Sequence, residues 1–178
     1  MSNFSLEVPE ITFEQAIALT QSLLSQAEAG ESPEMGAAIA ELVKTETGAR
    51  GFFVTYLTSD SAIADNPSTL VIQALQSNPD VVADLLVKNL AMSAAQAVFH
   101  RRNHKEDMAE ASEQVRQRTA RLIELVSLPI VYDRSAELLA SATTGEGSYK
   151  AFLERWGYDA EQRQVICKTL QQVISEPK

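Results

Sequence analysis

One long run of the chain has no internal proline or glycine: Pro79–Leu128, PDVVADLLVKNLAMSAAQAVFHRRNHKEDMAEASEQVRQRTARLIELVSL. Its apolar and small residues recur at helical spacing, so on a continuous helix they would share roughly one side. They are Val82, Leu85, Leu86, Ser93, Ala97, Ala111, Val115, Leu122 and Val126. One helix over this run would be about 75 Å long, far beyond the usual ~11 to 12 residues. We therefore expect two helices that meet in the polar run His100–Asp107, with Pro129 ending the second.

Helix start and stop signals divide the rest of the chain. Side chains that cap helix N-termini occur at six places, several of them in a capping box or directly before a proline. They are Thr12, Ser32, Asn66, Asn78, Ser148 and Asp159. Glycine commonly follows a helix C-terminus, and Gly30, Gly48 and Gly157 stand where three of these helices should end. A further helix is expected around Tyr132–Ala142.

The segment Gly51–Thr58 (GFFVTYLT) is rich in β-branched and aromatic residues, which favour a strand. Its apolar side chains nevertheless fall on one helical face, at i, i+3, i+4, i+7 and i+8. They are Ala49, Phe52, Phe53, Tyr56 and Leu57. No second candidate strand exists to pair with it, and a lone strand would leave its backbone donors without partners. We therefore predict a short helix here.

Length and composition fit one all-α domain. The 178 residues are 45% apolar, and a chain of this size buries about 70% of its surface, enough for a core without disulfides or metals. The sequence predicts a compact single-domain bundle of about eight helices over residues 1–178, with residues 1–10 and 175–178 as flexible tails. The single cysteine, Cys167, excludes an intramolecular disulfide and fits a reducing, cytoplasmic setting.

Acidic residues dominate the first half of the chain. The net charge of −9 argues against a general affinity for nucleic acid or for an anionic membrane surface. Residues 1–87 hold 12 acids and 2 bases, a charge of −10, and residues 88–178 hold 12 acids and 13 bases, a charge of +1. Three arrangements fit this split. The halves contact each other within one molecule, they contact each other between two molecules of a homodimer, or surface charge simply varies along the chain.

The most apolar window of the chain, Val81–Phe99, is interrupted by charged and amide side chains. These are Asp84, Lys88, Asn89 and Gln96. The interruptions predict a packed helix of a soluble protein rather than a membrane span. The first residues, Met1–Glu7, have no basic region before an apolar stretch, so we expect no secretory signal.

Two segments resemble a known group of sequences. They are GARGFFVTYLTSD (Gly48–Asp60) and TTGEGSYKAFLERWGYDAEQR (Thr143–Arg163), which look like stretches of a group of uncharacterised small soluble proteins from cyanobacteria. The resemblance extends over most of the chain. It implies a cytoplasmic location in a photosynthetic cell, and it brings no activity or catalytic motif.

The strongest candidate for a functional site is a possible metal-ligand set of three side chains, His100, His104 and Asp107. At i, i+4 and i+7 they would lie on one side of a continuous helix, as a two-histidine, one-carboxylate ligand set. The pattern is not HExxH, because Arg101 stands where a general base would be. This arginine and two neighbouring basic side chains also oppose a cation. The alternative is therefore a solvated, charged helix end.

Two other features are weaker candidates for chemistry. Cys167 lies on an amphipathic helix and fits a small core residue better than a reactive thiol. The loop Thr143–Ser148 ends at a helix N-terminus, which is a place where anions can bind. It lacks the GK[ST] ending of a P-loop, and Glu146 would repel phosphate. We interpret the loop as a connector.

Three further patterns concern packing and surfaces. The aromatic side chains of residues 149–158 stand at helical spacing, which indicates core more than a partner-binding patch. The small residues of Ala91–Ala97 allow close helix approach, in an internal bundle or at a dimer seam. Basic residues between Arg101 and Arg121 alternate with acids, which indicates ion pairs along helices rather than nucleic-acid binding.

By elimination, the sequence predicts a non-enzymatic protein-interaction module with a protein partner. It combines good helix caps and amphipathic faces with no convergent polar motif. The alternative is a metal- or small-ligand-binding protein, with or without enzyme activity, centred on His100, His104 and Asp107. We expect no cofactor, no nucleic acid and no membrane as partners.

Overall fold

A computed structural model describes residues 10–175 of the chain. Over these residues the secondary structure is helical, without a strand, which confirms the all-α prediction. The α-helices are α1 (Phe13–Ala27), α2 (Pro33–Leu42), α3 (Glu46–Thr58), α4 (Thr69–Gln76), α5 (Pro79–Arg102), α6 (Glu106–Val126), α7 (Pro129–Thr144), α8 (Lys150–Trp156) and α9 (Ala160–Ser175). A 3₁₀ turn, Ala62–Ala64, lies between α3 and α4. The predicted tails, 1–10 and 175–178, lie outside the described residues except for Glu10 and Ser175.

The segment Gly51–Thr58 is helical, as predicted, and belongs to α3. Its predicted inner face is buried, and the ring of Phe52 lies 5.2 Å from that of Phe53 and 5.1 Å from that of Tyr56. Helix α3 packs against α1, α5 and α6. Val54 points the other way and is exposed. Helical periodicity outweighs β propensity here because one face of the helix fills the core.

Helix α5 is the centre of the bundle. It packs against α6, α7 and α9, and along other parts of its surface against α3 and α4. The small residues of Ala91–Ala97 lie at these contacts, where Ala91, Ser93 and Ala94 are at most 5% exposed. This stretch therefore serves the internal bundle, the first of the two predicted alternatives. Within the described chain, α5 is the one helix long and apolar enough to cross a membrane, but its burial by neighbouring helices is typical of a core helix.

The long run breaks where the sequence predicts. Helix α5 ends at Arg102 and α6 begins at Glu106. His104 lies between them in the left-handed region, with φ of 57°, and the Lys105 N–H donates to the carbonyl of His100 over 2.9 Å. At the far end, α6 stops at Val126 and the left-handed Ser127, so Pro129 is the first residue of α7 rather than the residue that ends α6.

Two predicted capping boxes are confirmed. At α1 the Gln15 N–H donates to the Thr12 hydroxyl over 3.1 Å, and the Thr12 N–H donates to the Gln15 side chain over 2.9 Å. At α9 the Asp159 carboxylate accepts from the Gln162 N–H over 3.0 Å, and the Asp159 N–H donates back to the Gln162 side chain over 3.1 Å. These reciprocal bonds satisfy backbone donors that a helix leaves free.

The prediction that Gly48 ends a helix is wrong. Helix α2 already ends at Leu42, and Gly48 lies in the first turn of α3, where its N–H donates to the hydroxyl of Thr45 over 3.1 Å. A Cβ at this position would stand 2.2 Å from the carbonyl oxygen of Leu42. Glycine is needed here because the end of α2 passes so close to the start of α3.

Four other predicted caps differ from the structure. Ser32 precedes α2 as predicted, but its side chain makes no cap hydrogen bond. Helix α5 does begin at Pro79, but the Asn78 side chain donates to the carbonyl of Val43 over 2.9 Å and thus satisfies the end of α2. Helix α4 starts two residues after the predicted Asn66-Pro67 signal, with Ser68 as its cap. Ser148 precedes α8 without capping it. Proline alone suffices for the start of α5, because it has no N–H to satisfy and its φ suits a helix.

A buried arginine joins the end of α3 to α6. Arg118 is 4% exposed. It donates to the carbonyls of Leu57 and Ser59 over 3.1 and 2.6 Å and to the carboxylate of Asp65 over 2.8 Å. The hydrogen bond from Arg118 lowers the pKa of Asp65 below its ordinary value. Among the described residues, this pair and Lys88–Asp84 are the ion pairs that link the acidic first half to the second half.

Candidate functional site

The three predicted metal ligands lie on different elements. His100 is in the last turn of α5, His104 is in the left-handed turn after it, and Asp107 is in the first turn of α6. The i, i+4, i+7 relation required one continuous helix, and the break removes it. In the part of the chain that the structure describes, no three His, Cys, Asp or Glu side chains are grouped to hold a metal ion.

We expect zinc, manganese and ferrous iron to leave the melting temperature of the protein unchanged, because the helix break separates the ligand-type side chains. A site that bound metal in the folded state would stabilise it by about 2.7 kcal/mol at a hundredfold excess over the dissociation constant. That gain would fall as the pH drops through about 6.5, where histidine takes up protons. Stoichiometric metal in the purified protein, lost on His104→Ala, would contradict the expectation.

The two weaker chemical candidates have structural surroundings. Cys167 is half-buried against the core, with its Sγ 3.7 Å from the hydroxyl oxygen of Thr143. In the predicted connector, Gly145 adopts a left-handed conformation, with φ of 76°, directly after α7. The Glu146 carboxylate there pairs with Lys150 over 3.1 Å. The loop therefore connects α7 to α8 as predicted, and Cys167 packs at the edge of the core.

The aromatic side chains of residues 149–158 divide between core and surface. Tyr149 and Tyr158 are buried, and burial raises the pKa of Tyr158 to about 12. Tyr149 donates to the carboxylate of Asp84 over 2.7 Å. Trp156, by contrast, is 44% exposed. The core prediction is therefore correct for the tyrosines and wrong for the tryptophan, which lines a surface depression.

This depression is one of three that follow each other along the outer face of α5. Their volumes are about 290, 180 and 260 Å³. The first two share Val54, Asn89 and Met92, and the second and third share Thr58 and two residues of α6. We call the continuous surface the α5 groove. It is lined by Phe13, Glu46, Arg50, Phe53, Val54, Leu57, Thr58, Leu85, Lys88, Asn89, Met92, Ser93, Gln96, His100, Met108, Ala111, Ser112, Gln114, Val115, Phe152, Arg155 and Trp156.

The floor of the groove is one face of α5. Its residues there follow each other at steps of three and four, from Leu85 through Met92 to His100. At 1.5 Å per residue this face is about 22 Å long. Helix α3 forms one wall, and α6 and α8 border the two ends. Leu85 and Ser93 of this strip are buried and its other side chains are half-buried, so the strip forms the floor of the groove.

Large apolar side chains stand exposed along the groove. Val54 and Trp156 are each 44% exposed, and Met108 is 49% exposed. Met92 is half-buried and lines the floor in the same depressions as Val54 and Asn89. Methionine adapts its shape to different neighbours, and tryptophan is the residue most enriched among strong contacts at protein interfaces.

The charge at the α8 end of the groove is positive. Arg50, Lys88 and Arg155 line this end together with one acid, Glu46. The guanidinium of Arg50 lies 5.6 Å from the centre of the Phe13 ring, and that of Arg155 lies 5.9 Å from the ring of Trp156. Such cation–aromatic contacts hold a charged group over an apolar surface.

These two arginines differ from most others in the protein. Within the described residues, neither has a carboxylate partner, whereas six arginines form ion pairs: Arg101, Arg102, Arg116, Arg118, Arg121 and Arg134. Arg163 donates to the backbone carbonyl of Tyr158. In a chain with a net charge of −9, two arginines that have no carboxylate partner among the described residues lie at one end of an apolar groove.

The groove has no signature in the sequence, because its lining comes from five α-helices spread along the chain. One lining residue did have a signal. The periodicity of α3 assigns an inner face that omits Val54, so this valine had to point outward. The exposure of Trp156 had no such signal, because its position in the short α8 fits the same helical spacing as the buried aromatic residues.

Comparison with known proteins identifies a family whose description names no activity. A protein-family model described as "Uncharacterised conserved protein UCP020893" matches residues 12–173. This supports the resemblance to an uncharacterised group of proteins. No curated protein and no solved structure matches the chain.

Proposed function

The chain belongs to this family of uncharacterised conserved proteins, and from that premise we propose that it is a non-enzymatic protein-interaction module that binds a partner protein in the α5 groove. The observation that carries the proposal is the groove along α5, about 22 Å long, bordered by exposed Val54, Met108 and Trp156. Contiguous exposed apolar surface of this kind marks interaction sites.

The side chains that line the groove suit the binding of a partner protein better than catalysis. Its middle part is lined by apolar and neutral polar side chains, among them Phe53, Leu57 and Val115. Charged side chains are confined to its α8 end. An apolar centre with charge at the border is the usual anatomy of a protein interface. The unpaired Cys167 and the resemblance to cyanobacterial proteins support a proposed setting in the cytoplasm of a photosynthetic cell.

The test is capture of a partner from an extract of the source organism by the wild-type chain and two variants. Val54→Asp places a charge in the groove, and Leu19→Asp places the same charge on α1, outside the groove, where Leu19 is also exposed. We expect Val54→Asp to capture about tenfold less partner than the wild type, because the introduced charge must be desolvated on binding. Leu19→Asp should capture as much as the wild type.

One result would contradict the proposal. Equal capture by Val54→Asp and the wild type would show that the partner binds elsewhere. Circular dichroism of both variants checks that the helices are intact, so that a loss of capture is not a loss of fold. Sedimentation of the purified chain at low and high salt detects the homodimer that the charge split allows.

A further inference from the structure

Resting on the proposed function, we propose that the α5 groove accepts an amphipathic helix of a partner protein whose acidic residues meet the α8 end of the groove. Two observations support this occupant: the shape of the groove and the two arginines that have no carboxylate among the described residues. Each points to a different property of the partner.

The shape of the groove fits a helix. Its floor is one face of α5, between a wall formed by α3 and the borders formed by α6 and α8. A helix laid along this face would match its length with about 15 residues. Its apolar side chains at i, i+3, i+4 and i+7 would face Met92, Val54 and Val115, as in other complexes where a helix occupies an apolar groove.

The charge of the groove fits an acidic end on that helix. Arg50 and Arg155 are held over aromatic rings at the border of the groove, with their donors not used by carboxylates of the described chain. Lys88 already pairs with Asp84 over 2.9 Å. Carboxylates of a partner would give both arginines an opposite charge, and complementary charge at an interface border favours the correct partner and register.

A second copy of this chain fits the groove less well. In a twofold dimer the same surface meets itself, and the lining residues of the groove offer one carboxylate, Glu46, against Arg50, Lys88 and Arg155. Such a dimer would leave most of these cations without a partner. A separate acidic helix removes this mismatch.

Trp156 provides a direct readout, because it is the single tryptophan of the sequence. The probes are two tryptophan-free amphipathic peptides of about 15 residues with leucines at i, i+3, i+4 and i+7. One carries three glutamates in its first turn, and the other carries glutamines in their place. Titration of the full chain with each peptide follows the emission wavelength of Trp156.

We expect the acidic peptide to shift Trp156 emission to shorter wavelength and to bind about fivefold tighter than the glutamine peptide. Arg50→Gln and Arg155→Gln should each reduce this ratio, and about 1 M salt should remove it. Lys168→Gln removes an exposed charge outside the groove and should leave the ratio unchanged. Val54→Asp should weaken both peptides.

The outcomes separate this inference from the proposed function. If both peptides bind with equal affinity and Val54→Asp weakens both, the partner does not need acidic residues. The groove would then remain an interaction site. No shift of Trp156 with either peptide, while capture from the extract still depends on Val54, would overturn the helical occupant. A chain that sediments as a dimer and binds neither peptide would assign the groove to a second copy. Loss of both peptide binding and Val54-dependent capture would overturn the proposed function as well.

Discussion

Replacing Arg118 with alanine is expected to lower the free energy of unfolding by about 3 kcal/mol. The side chain is buried and donates to the carbonyls of Leu57 and Ser59 and to the carboxylate of Asp65. The variant leaves backbone acceptors at the end of α3 without their donor and opens a cavity beside α6. Chemical denaturation followed by circular dichroism measures the loss.

Arg116→Ala is the matched control, because it removes an arginine from the same helix that pairs with Glu113 on a more accessible surface. Its cost should stay within about 1 kcal/mol. An Arg118→Ala variant no less stable than Arg116→Ala would contradict the structural role assigned to Arg118. Such a result would also weaken the account of how α3, one wall of the groove, is held in place.

The same pair predicts a pH dependence. Because the hydrogen bond from Arg118 lowers the pKa of Asp65 in the folded state, the carboxylate stabilises the fold above its unfolded pKa of about 3.9. That contribution is lost as the pH falls through the lower folded-state pKa. The difference in stability between the wild type and Asp65→Asn should therefore shrink below about pH 4. A difference that grew on acidification would contradict this.

The second large effect is expected at Gly48. In Gly48→Ala the new Cβ would stand 2.2 Å from the carbonyl oxygen of Leu42 and 3.1 Å from Cγ2 of Ile11. Backbone must move to relieve the first contact, so we expect a loss of about 3 kcal/mol in the free energy of unfolding despite the better helix propensity of alanine. Thermal and chemical denaturation measure it.

Gly36→Ala is the control with the opposite sign. Gly36 is also a buried glycine inside a helix, α2, but its nearest neighbour would be the carbonyl oxygen of Leu70 at 3.5 Å, an ordinary contact. There alanine should stabilise the protein by about 0.5 to 1 kcal/mol. If both substitutions changed stability equally, close approach between α2 and α3 would not be the reason for glycine at position 48.

Local signals in the sequence predict much of this fold. The capping boxes at Thr12 and Asp159 form as predicted, because each is complete within four residues. Gly48 does not end a helix, and the Asn78 side chain binds Val43 instead of capping α5, because both positions lie against the end of α2. A capping residue or a glycine predicts a helix end only when its side chain or backbone does not contact another helix.

The candidate site was harder to predict from local sequence signals than the fold. His100, His104 and Asp107 form a pattern only on a continuous helix, and the run of polar residues that suggested the pattern is also the break in that helix. The α5 groove has no motif, because Val54, Met92 and Trp156 come together through packing of α3, α5 and α8. Amphipathic periodicity identifies an inner face, but it does not show which outer residues become neighbours.

Photocrosslinking from within the α5 groove shows whether a partner protein occupies it. The photoreactive residue p-benzoylphenylalanine replaces Val54 in one variant and Leu19 in the other, both at exposed helix positions. The variants are irradiated in cells of the source organism. We predict a discrete adduct with another protein from position 54 and none from position 19. No adduct from position 54, or the same adduct from both positions, would contradict the account.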